Sequence, residues 1–269
     1  MATGSDASRA GVLAIDVGNS ITSVGLIVGG ELAATWTSTT PTRLTADEAG
    51  SVIDAFVRAR GAGARPSDAI VASVVPSLTD AWVLAAHEAC GVRPLVVGPG
   101  LKTGLQMRLH DPSELGADRV ADLVAAKAAY PCPLVVVDFG TATNMEVVDP
   151  EGVVLGGLIG PGLRLAAAAV ARAAAQLPVV DLRAPASVIG RGTREAMQAG
   201  IVVGEVARID GLVDAVWREL GYETRVIATG EDARAMAALS QRITDHDEHL
   251  TLRGLGIIHR MNRRPRRQR

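Results

Sequence analysis

Two segments of this chain follow one pattern, and that pattern limits the folds open to it. The first is an apolar run, Val12-Leu13-Ala14-Ile15, ending in Asp16-Val17-Gly18-Asn19-Ser20. The second is Leu134-Val135-Val136-Val137, ending in Asp138-Phe139-Gly140-Thr141-Ala142. Each is an apolar strand that runs into Asp, any residue, Gly, then Asn or Thr and a small residue. Asp16 and Asp138 lie about 122 positions apart, close to half of the chain, which is too long for a solenoid repeat and suits a duplicated α/β domain. Two copies, each opening strand-turn-strand, would set two acidic turns facing one another across a cleft. Each turn offers backbone donors and a carboxylate, as a metal-bound nucleotide requires.

The remaining elements fit such a repeat. After the first turn a strand resumes at Val24 to Val28, and Gly29-Gly30 turns the chain into a third strand, Glu31 to Trp36. Thr45-Ala46-Asp47-Glu48 has the form of a helix start and predicts a helix to about Arg60. A short buried strand follows at Ala69 to Val75, ended by Pro76, then a helix over Ser77 to Cys90 and a strand over Pro94 to Val97. A helix is expected over Glu114 to Ala129, closed by Pro131. Past the second turn, strands are expected at Glu146 to Val148 and Val153 to Ile159, around the turn Asp149 to Gly152. The Ala-rich run Ala166 to Ala175 reads as a helix of high propensity and says nothing about ligands.

Composition narrows the chemistry. Hydrophobic residues make up 48% and aromatics only 3%, so the core must be built from Ala, Val, Leu and Ile. Lys102 and Lys127 are the only lysines and no GxxxxGK[ST] occurs, which excludes a P-loop. Nucleotide phosphates would have to be met by backbone N–H groups, hydroxyls, Arg and a metal ion. Cys90 and Cys132 have no metal-ligand spacing and read as buried thiols in a reducing compartment. The first ten residues lack the apolar core of a signal peptide, and no uninterrupted apolar run reaches membrane-spanning length. The expected location is the cytoplasm, with no membrane partner.

Net charge is −2, yet residues 260–269 carry six Arg and no acid, leaving about −8 on the rest. This basic tail reads as a solvated terminus, and a nucleic-acid partner is not expected. Gly190-Arg191-Gly192 and Gly98-Pro99-Gly100 leave a dinucleotide fingerprint incomplete. Asp245-His246-Asp247-Glu248-His249 imitates a metal cluster but reads as a polar turn.

The ordered motifs carry a further reading. Asp16-Val17-Gly18-Asn19-Ser20, Pro99-Gly100-Leu101-Lys102-Thr103-Gly104, Leu115-Gly116-Ala117-Asp118-Arg119 and Asp138-Phe139-Gly140-Thr141-Ala142-Thr143 come first. Leu155-Gly156-Gly157, Pro161-Gly162-Leu163, Ile189-Gly190 with Thr193, Ile209-Asp210-Gly211 and Leu250-Thr251-Leu252-Arg253-Gly254-Leu255 come after them. Together, from Val12 to Asn262, they resemble the successive signatures of type III pantothenate kinases.

The resemblance implies an α/β fold of duplicated ribonuclease H-like lobes, the actin-like ATPase superfold, with a cleft between them. The lobes would span 11–114 and 115–262, with flexible tails at 1–10 and 263–269. It implies ATP-dependent phosphorylation of pantothenate to 4'-phosphopantothenate, the first step of coenzyme A biosynthesis, by a homodimer whose second lobe supplies the interface and part of the pantothenate pocket. Asp16, Val17, Gly18, Asn19, Ser20, Ile21, Thr22 and Ser23 resemble the first phosphate loop, and Thr141 an ATP contact. Gly116, Ala117, Asp118 and Arg119 resemble the pantothenate-contacting segment, with Asp118 in the place of the general base, and Thr193 a substrate contact. Asp138 matches the position that holds a monovalent cation, potassium or ammonium.

Residue chemistry is compatible with those roles. Small turn residues let the main chain of Gly18 to Ser20 approach phosphate. Asp16 and Asp138 are hard oxygen ligands suited to magnesium, directly or through water, or to an alkali cation. By residue type alone, Asp118 reads first as a helix N-terminal carboxylate beside Arg119, and the flanking family motif is what favours the general base. Departures from the family pattern are Leu109 in place of a Tyr, Asn144 in place of a Thr, Ala166 in place of a Ser, Glu231 where Thr-Gly-Gly would have its last Gly, and Ser20 in place of a Thr. A catalytically weak relative acting as a binding protein, or a kinase for another small alcohol, are the alternatives these departures leave open.

Overall fold

The computed structural model, which describes residues 10–61, 63–173 and 177–263, turns each repeated segment into a strand hairpin. In chain order the elements are β1 (Ala10–Val17), β2 (Ile21–Val28), β3 (Glu31–Thr39), α1 (Ala46–Arg60), β4 (Arg65–Ser73), α2 (Pro76–Cys90), β5 (Leu95–Val96), β6 (Gln106–Met107) and α3 (Ala117–Ala129). Next come β7 (Leu134–Phe139), β8 (Ala142–Val148), β9 (Val153–Pro161), α4 (Leu163–Ala173), α5 (Thr193–Gln198), α6 (Gly204–Leu220), β10 (Arg225–Gly230), α7 (Ala233–Ala237), β11 (Asp245–His246) and α8 (Leu250–Asn262).

The chain divides into two units. One runs to Gly104 and takes in Asp111–Ala125 and the residues from Leu250 onward; the other holds Leu105–His110 and Ala126–His249. In the first, the strand order is β3-β2-β1-β4-β5, with β1, β2 and β3 antiparallel and β4 and β5 parallel to β1. In the second, β9-β8-β7-β10-β11 repeats that order and those directions, and β6 adds to the β9 edge. The duplication read from two acidic turns is thus a duplication of whole sheets. Asp16 pairs with Ser23 on β2 and lies beside Ala72 on β4; Asp138 pairs with Asn144 on β8 and lies beside Thr229 on β10. The two aspartates hold equivalent places.

Local chemistry sets the element ends. Thr45 caps α1 in a reciprocal box: Glu48 N–H donates to Thr45 Oγ1 at 3.2 Å and Thr45 N–H donates to Glu48 Oε2 at 2.8 Å. These bonds favour the ionised carboxyl and lower the Glu48 pKa. Pro76 opens α2, where its missing N–H costs nothing, and Gly91 ends it at φ +68°. The helix expected from Glu114 instead begins at Ala117. Pro112–Glu114 form a 3₁₀ turn whose N–H groups Asp111 caps, and Leu115 returns to extended backbone before α3 starts. The strand expected at Ala69 to Val75 starts earlier, at Arg65, and stops at Ser73, since Val75 becomes the residue preceding α2. β8 begins at Ala142 and not Glu146, because the turn at Gly140 is only two residues wide. The Ala-rich helix is α4, described to Ala173; its expected last residues, and residues 1–9 and 264–269 of the expected tails 1–10 and 263–269, lie outside the described residues, whereas Ala10 opens β1.

Each unit has its own apolar core. In the first, Leu13, Ile15, Val24 and Leu26 pack against Ile53 and Phe56 of α1 and Leu78 and Trp82 of α2. In the second, Val135, Val137, Met145, Val226 and Ala228 pack against Val202, Val206, Ile209 and Val213. On the first unit, α8 sits where only glycine fits: a Cβ on Gly254 would overlap the Ala121 carbonyl of α3, and Thr251 Oγ1 donates to Asp122 Oδ1 at 2.7 Å. The Leu250-to-Leu255 motif therefore serves packing. Cys90 Sγ donates to the Asp68 carbonyl at 3.4 Å, and burial, aided by the Asp68 charge, pushes its pKa up to about 12. It is an inert thiol. No helix among the described residues is long and apolar enough to cross a membrane.

Candidate active site

In the first unit, the turn after Asp16 is tied from its carbonyl side. Gly18 N–H donates to Ile21 O at 3.0 Å, and a Cβ on Gly18 would stand 2.8 Å from that same oxygen, so glycine is required there. Thr40 N–H donates to Ser20 O at 2.8 Å, while Thr40 Oγ1 donates to Gly18 O at 2.8 Å and bonds Thr22 Oγ1 at 2.9 Å. Asn19 and Ser20 are exposed at the tip; Asp16, Ile21 and Ser23 are half-buried. Val17 and Thr22 are fully buried, so their side chains serve the core, and a ligand would meet only their main chain.

The same unit brings the Gly116–Arg119 segment to this end of β1. Val74 N–H donates to Val17 O at 3.1 Å, and Val74 Cγ1 lies 3.4 Å from the Cβ position of Gly116. Asp118 sits half-buried in the first turn of α3, where its Oδ1 accepts the Arg119 N–H at 2.7 Å. A Cβ on Gly116 would be 2.5 Å from Asp118 Oδ1, so the carboxylate occupies the space that glycine leaves. Asp118 thus satisfies a backbone donor in the first turn of α3, as a helix N-terminal carboxylate does.

In the second unit, Asp138 rests in a hollow between two glycines. Its Oδ1 is 2.6 Å from the Cβ position of Gly230 and its Oδ2 is 3.4 Å from that of Gly140. Gly230 has φ +91°, and the Phe139 carbonyl also lies 2.6 Å from its Cβ position. Carboxylate and main-chain oxygen therefore gather in one cradle, a donor set that suits a hard cation. Gly140 N–H donates to Ala142 O at 3.1 Å and Gly162 N–H to Thr141 O at 3.2 Å, leaving Thr141 exposed at the turn. Thr193 is exposed as the first residue of α5.

The departures from the family pattern acquire surroundings. Glu231 lies 3.6 Å from Arg164 of α4, whose guanidinium also bonds Asp232 at 3.1 Å. Asn144 is half-buried opposite Asp138, Ala166 is half-buried on α4, and Leu109 is half-buried just beyond β6. In the Asp245–His249 run, Asp245 pairs with Arg225 at 2.9 Å and Glu248 with Arg234 at 3.8 Å. Among the described residues, no group of three or more His, Cys, Asp or Glu is placed to hold a metal. A cation at Asp16 or Asp138 would need its other ligands from main chain, water and phosphate.

Sequence reasoning missed three residues here: Arg164, and the pair Glu205 and Arg208, which join the second turn to α6. Only the i,i+3 spacing of the acid and base on α6 was a signal, and such pairs are usually solvent-facing.

Two halves of one strand order, each with an aspartate at the same place on its first strand, define a protein of the actin-like ATPase and sugar-kinase fold. Solved structures of that architecture align over nearly the full chain. The ethanolamine utilization protein EutJ from Carboxydothermus hydrogenoformans has a TM-score of 0.51 at 14% identity, covering 91% of this chain and 88% of that one. The activator of 2-hydroxyisocaproyl-CoA dehydratase from Clostridium difficile, solved with ADPNP, has a TM-score of 0.50 at 12% identity, covering 91% and 92%. Residues 12–215 match the family model of type III pantothenate kinase, and the chain belongs to that family. Relatives named type III pantothenate kinase include those of Anaeromyxobacter dehalogenans (strain 2CP-C), 43% identical over 94% of this chain and 100% of the relative, and Myxococcus xanthus (strain DK1622), 41% identical over 93% and 98%.

Proposed function

We propose that this chain transfers the γ-phosphoryl group of ATP to the primary hydroxyl of pantothenate, giving 4'-phosphopantothenate, in the cytoplasm at the start of coenzyme A synthesis. The observation that carries this reading is the pair of equivalent acidic turns, Asp16 and Asp138, on a chain that belongs to this family. Phosphoryl transfer asks a protein for positioning, charge neutralisation and a proton acceptor. The loop Asp16 to Ser23 supplies main-chain positioning, with Asn19 and Ser20 at its tip. Asp16 would hold magnesium, directly or through water, and the Asp138 cradle a potassium or ammonium ion. When bound, each cation would offset the negative charge of the carboxylate that holds it.

Asp118 is the proposed general base. Its Oδ1 is engaged by the Arg119 N–H, which holds the carboxylate in one orientation and leaves Oδ2 to receive the hydroxyl proton. Gly116, Ala117 and Arg119 would line the pantothenate site beside it, Thr193 would contact the substrate and Thr141 the nucleotide. A homodimer is supported by exposed apolar residues in the second unit, among them Ile159 at 67%, Val179 at 84% and Ile189 at 81% exposure. Leu109, where the family pattern has an aromatic residue, favours a second reading in which the acceptor is a related small alcohol.

The test is a coupled assay with ATP, pantothenate, magnesium and potassium. Turnover by wild type and its loss in Asp118→Asn supports the reading. ATP binding without turnover of pantothenate or any of its analogues would remove it.

A further inference from the structure

Glu205 lies on the buried side of α6, only 6% exposed, among Val202, Val206 and Ile209. A carboxylate in such a place loses solvation worth several kcal/mol, and even a paired one is often replaceable by apolar residues without loss of stability. Its partners form a closed circuit. Thr143 Oγ1, itself 2% exposed, donates to Glu205 Oε1 at 2.9 Å. Arg208 Nη2 is 2.7 Å from both Glu205 oxygens, with Nε 3.1 Å from Oε2. The same Nη2 donates to Pro161 O at 3.0 Å, and the next residue, Gly162, donates its N–H to Thr141 O at 3.2 Å. From Thr141 the chain returns in two residues to Thr143.

The helix is built to aim this circuit. Ala199–Val203 form a π-turn directly ahead of α6, with the Gly204 N–H reaching back to Ala199 O. A π-turn inserts about one residue, rotating the helix beyond it by roughly 100° around the axis relative to an unbroken α-helix. The π-turn thus sets the rotation of Glu205, Val206 and Ile209 together relative to α5. Gly160 belongs to the same device, since a Cβ there would overlap Arg208 Nη1.

We propose that Glu205, Arg208 and Thr143 are positioning residues for phosphoryl transfer: a strut that fixes the Asp138–Thr143 turn against the Gly160–Gly162 segment and so holds Thr141 for the nucleotide. The proposal rests on the kinase function proposed for this site. The strut touches no substrate; it acts through the main chain of Thr141 and Gly162.

The experiment uses Glu205→Gln, Thr143→Val and, as the conservative control, Thr143→Ser, each in the full chain. Hydrogen exchange of the unliganded protein is followed over residues 138–143 and 160–163, beside thermal melts and steady-state kinetics well below the melting temperature. Faster exchange confined to those segments is expected for Glu205→Gln and Thr143→Val, with KM for ATP raised about ten- to a hundredfold, KM for pantothenate unchanged, and Thr143→Ser close to wild type. Unchanged exchange overturns the strut, as does a Thr143→Ser variant as impaired as Thr143→Val. Altered exchange with KM for ATP unchanged also overturns its positioning role. If wild type shows no kinase activity, the functional reading fails, and exchange in the unliganded protein still decides the strut.

Discussion

Arg164 on α4 and Glu231 just past β10 form an ion pair, Nε to Oε2, at 3.6 Å, and the same guanidinium holds Asp232. Glu231 therefore does not stand as an isolated charge next to Gly230 and the Asp138 cradle. The pair is exposed and contributes little to stability, about 0–1 kcal/mol. Its expected effect is on the charge beside the proposed nucleotide site. Arg164→Gln should raise KM for ATP by about three- to tenfold at low salt, with the change shrinking as salt rises. Glu231→Gly in the same background should restore most of the loss, and steady-state kinetics on the three proteins checks this.

Two glycines make room for the site carboxylates. Gly116→Ala would press a methyl group onto Asp118 Oδ1, where the present separation is 2.5 Å. Since small misplacements of reacting groups are costly, kcat should fall by about a hundredfold while the protein remains folded by circular dichroism. Gly230→Ala carries a second cost, because φ +91° is unfavourable for alanine by about 1–3 kcal/mol. It should lower both activity and melting temperature, unlike Gly116→Ala.

Gly254→Ala tests the seat of α8. The added methyl overlaps the Ala121 carbonyl, so α8 must lift from α3. Overpacking of this kind costs about 1–3 kcal/mol, and a lower midpoint in urea with an unchanged slope is expected.

Acid sensitivity should come from α8 as well. His259 is 7% exposed, with Nε2 3.2 Å from Asp68 Oδ2, and Arg263 Nε is 3.3 Å from the same oxygen. Burial lowers the His259 pKa below its usual 6.5; the Asp68 hydrogen bond and charge oppose this, and the Arg263 and Arg260 charges add to it. A depressed folded pKa means that the unfolded chain binds the proton more readily. The contribution is thus intact above pH 6.5 and declines as pH falls below it, through the folded pKa. Melting temperatures between about pH 7.5 and 5.5 should drop for wild type and drop less for His259→Gln.

What could be read from the sequence was what is local. The two acidic turns, the capping box at Thr45 and Glu48 and the strand-turn-strand openings depend on neighbours within a few residues, and periodicity records them. The pairing of Glu231 with Arg164, or of Thr143 with Glu205, joins distant positions through tertiary packing that no short window contains. Glu114 reads as helical in sequence because a 3₁₀ turn and an α-helix start share their composition. The start of β8 is hidden by polar Thr143, Asn144 and Glu146, residues that break the apolar run yet lie within the strand. That residues 250–262 form a helix packed on the first unit was not read at all, since its seat is made with Ala121 and Asp122, far away in the chain.

That last placement bears on how the chain is made. Leu252, Leu255 and Ile258 join the first unit from α8, whereas the second unit draws on residues no later than His249. During synthesis, the half that begins first must wait for residues 250–262 to leave the ribosome, while the half that begins later already has all its parts. Order of emergence and order of completion are reversed.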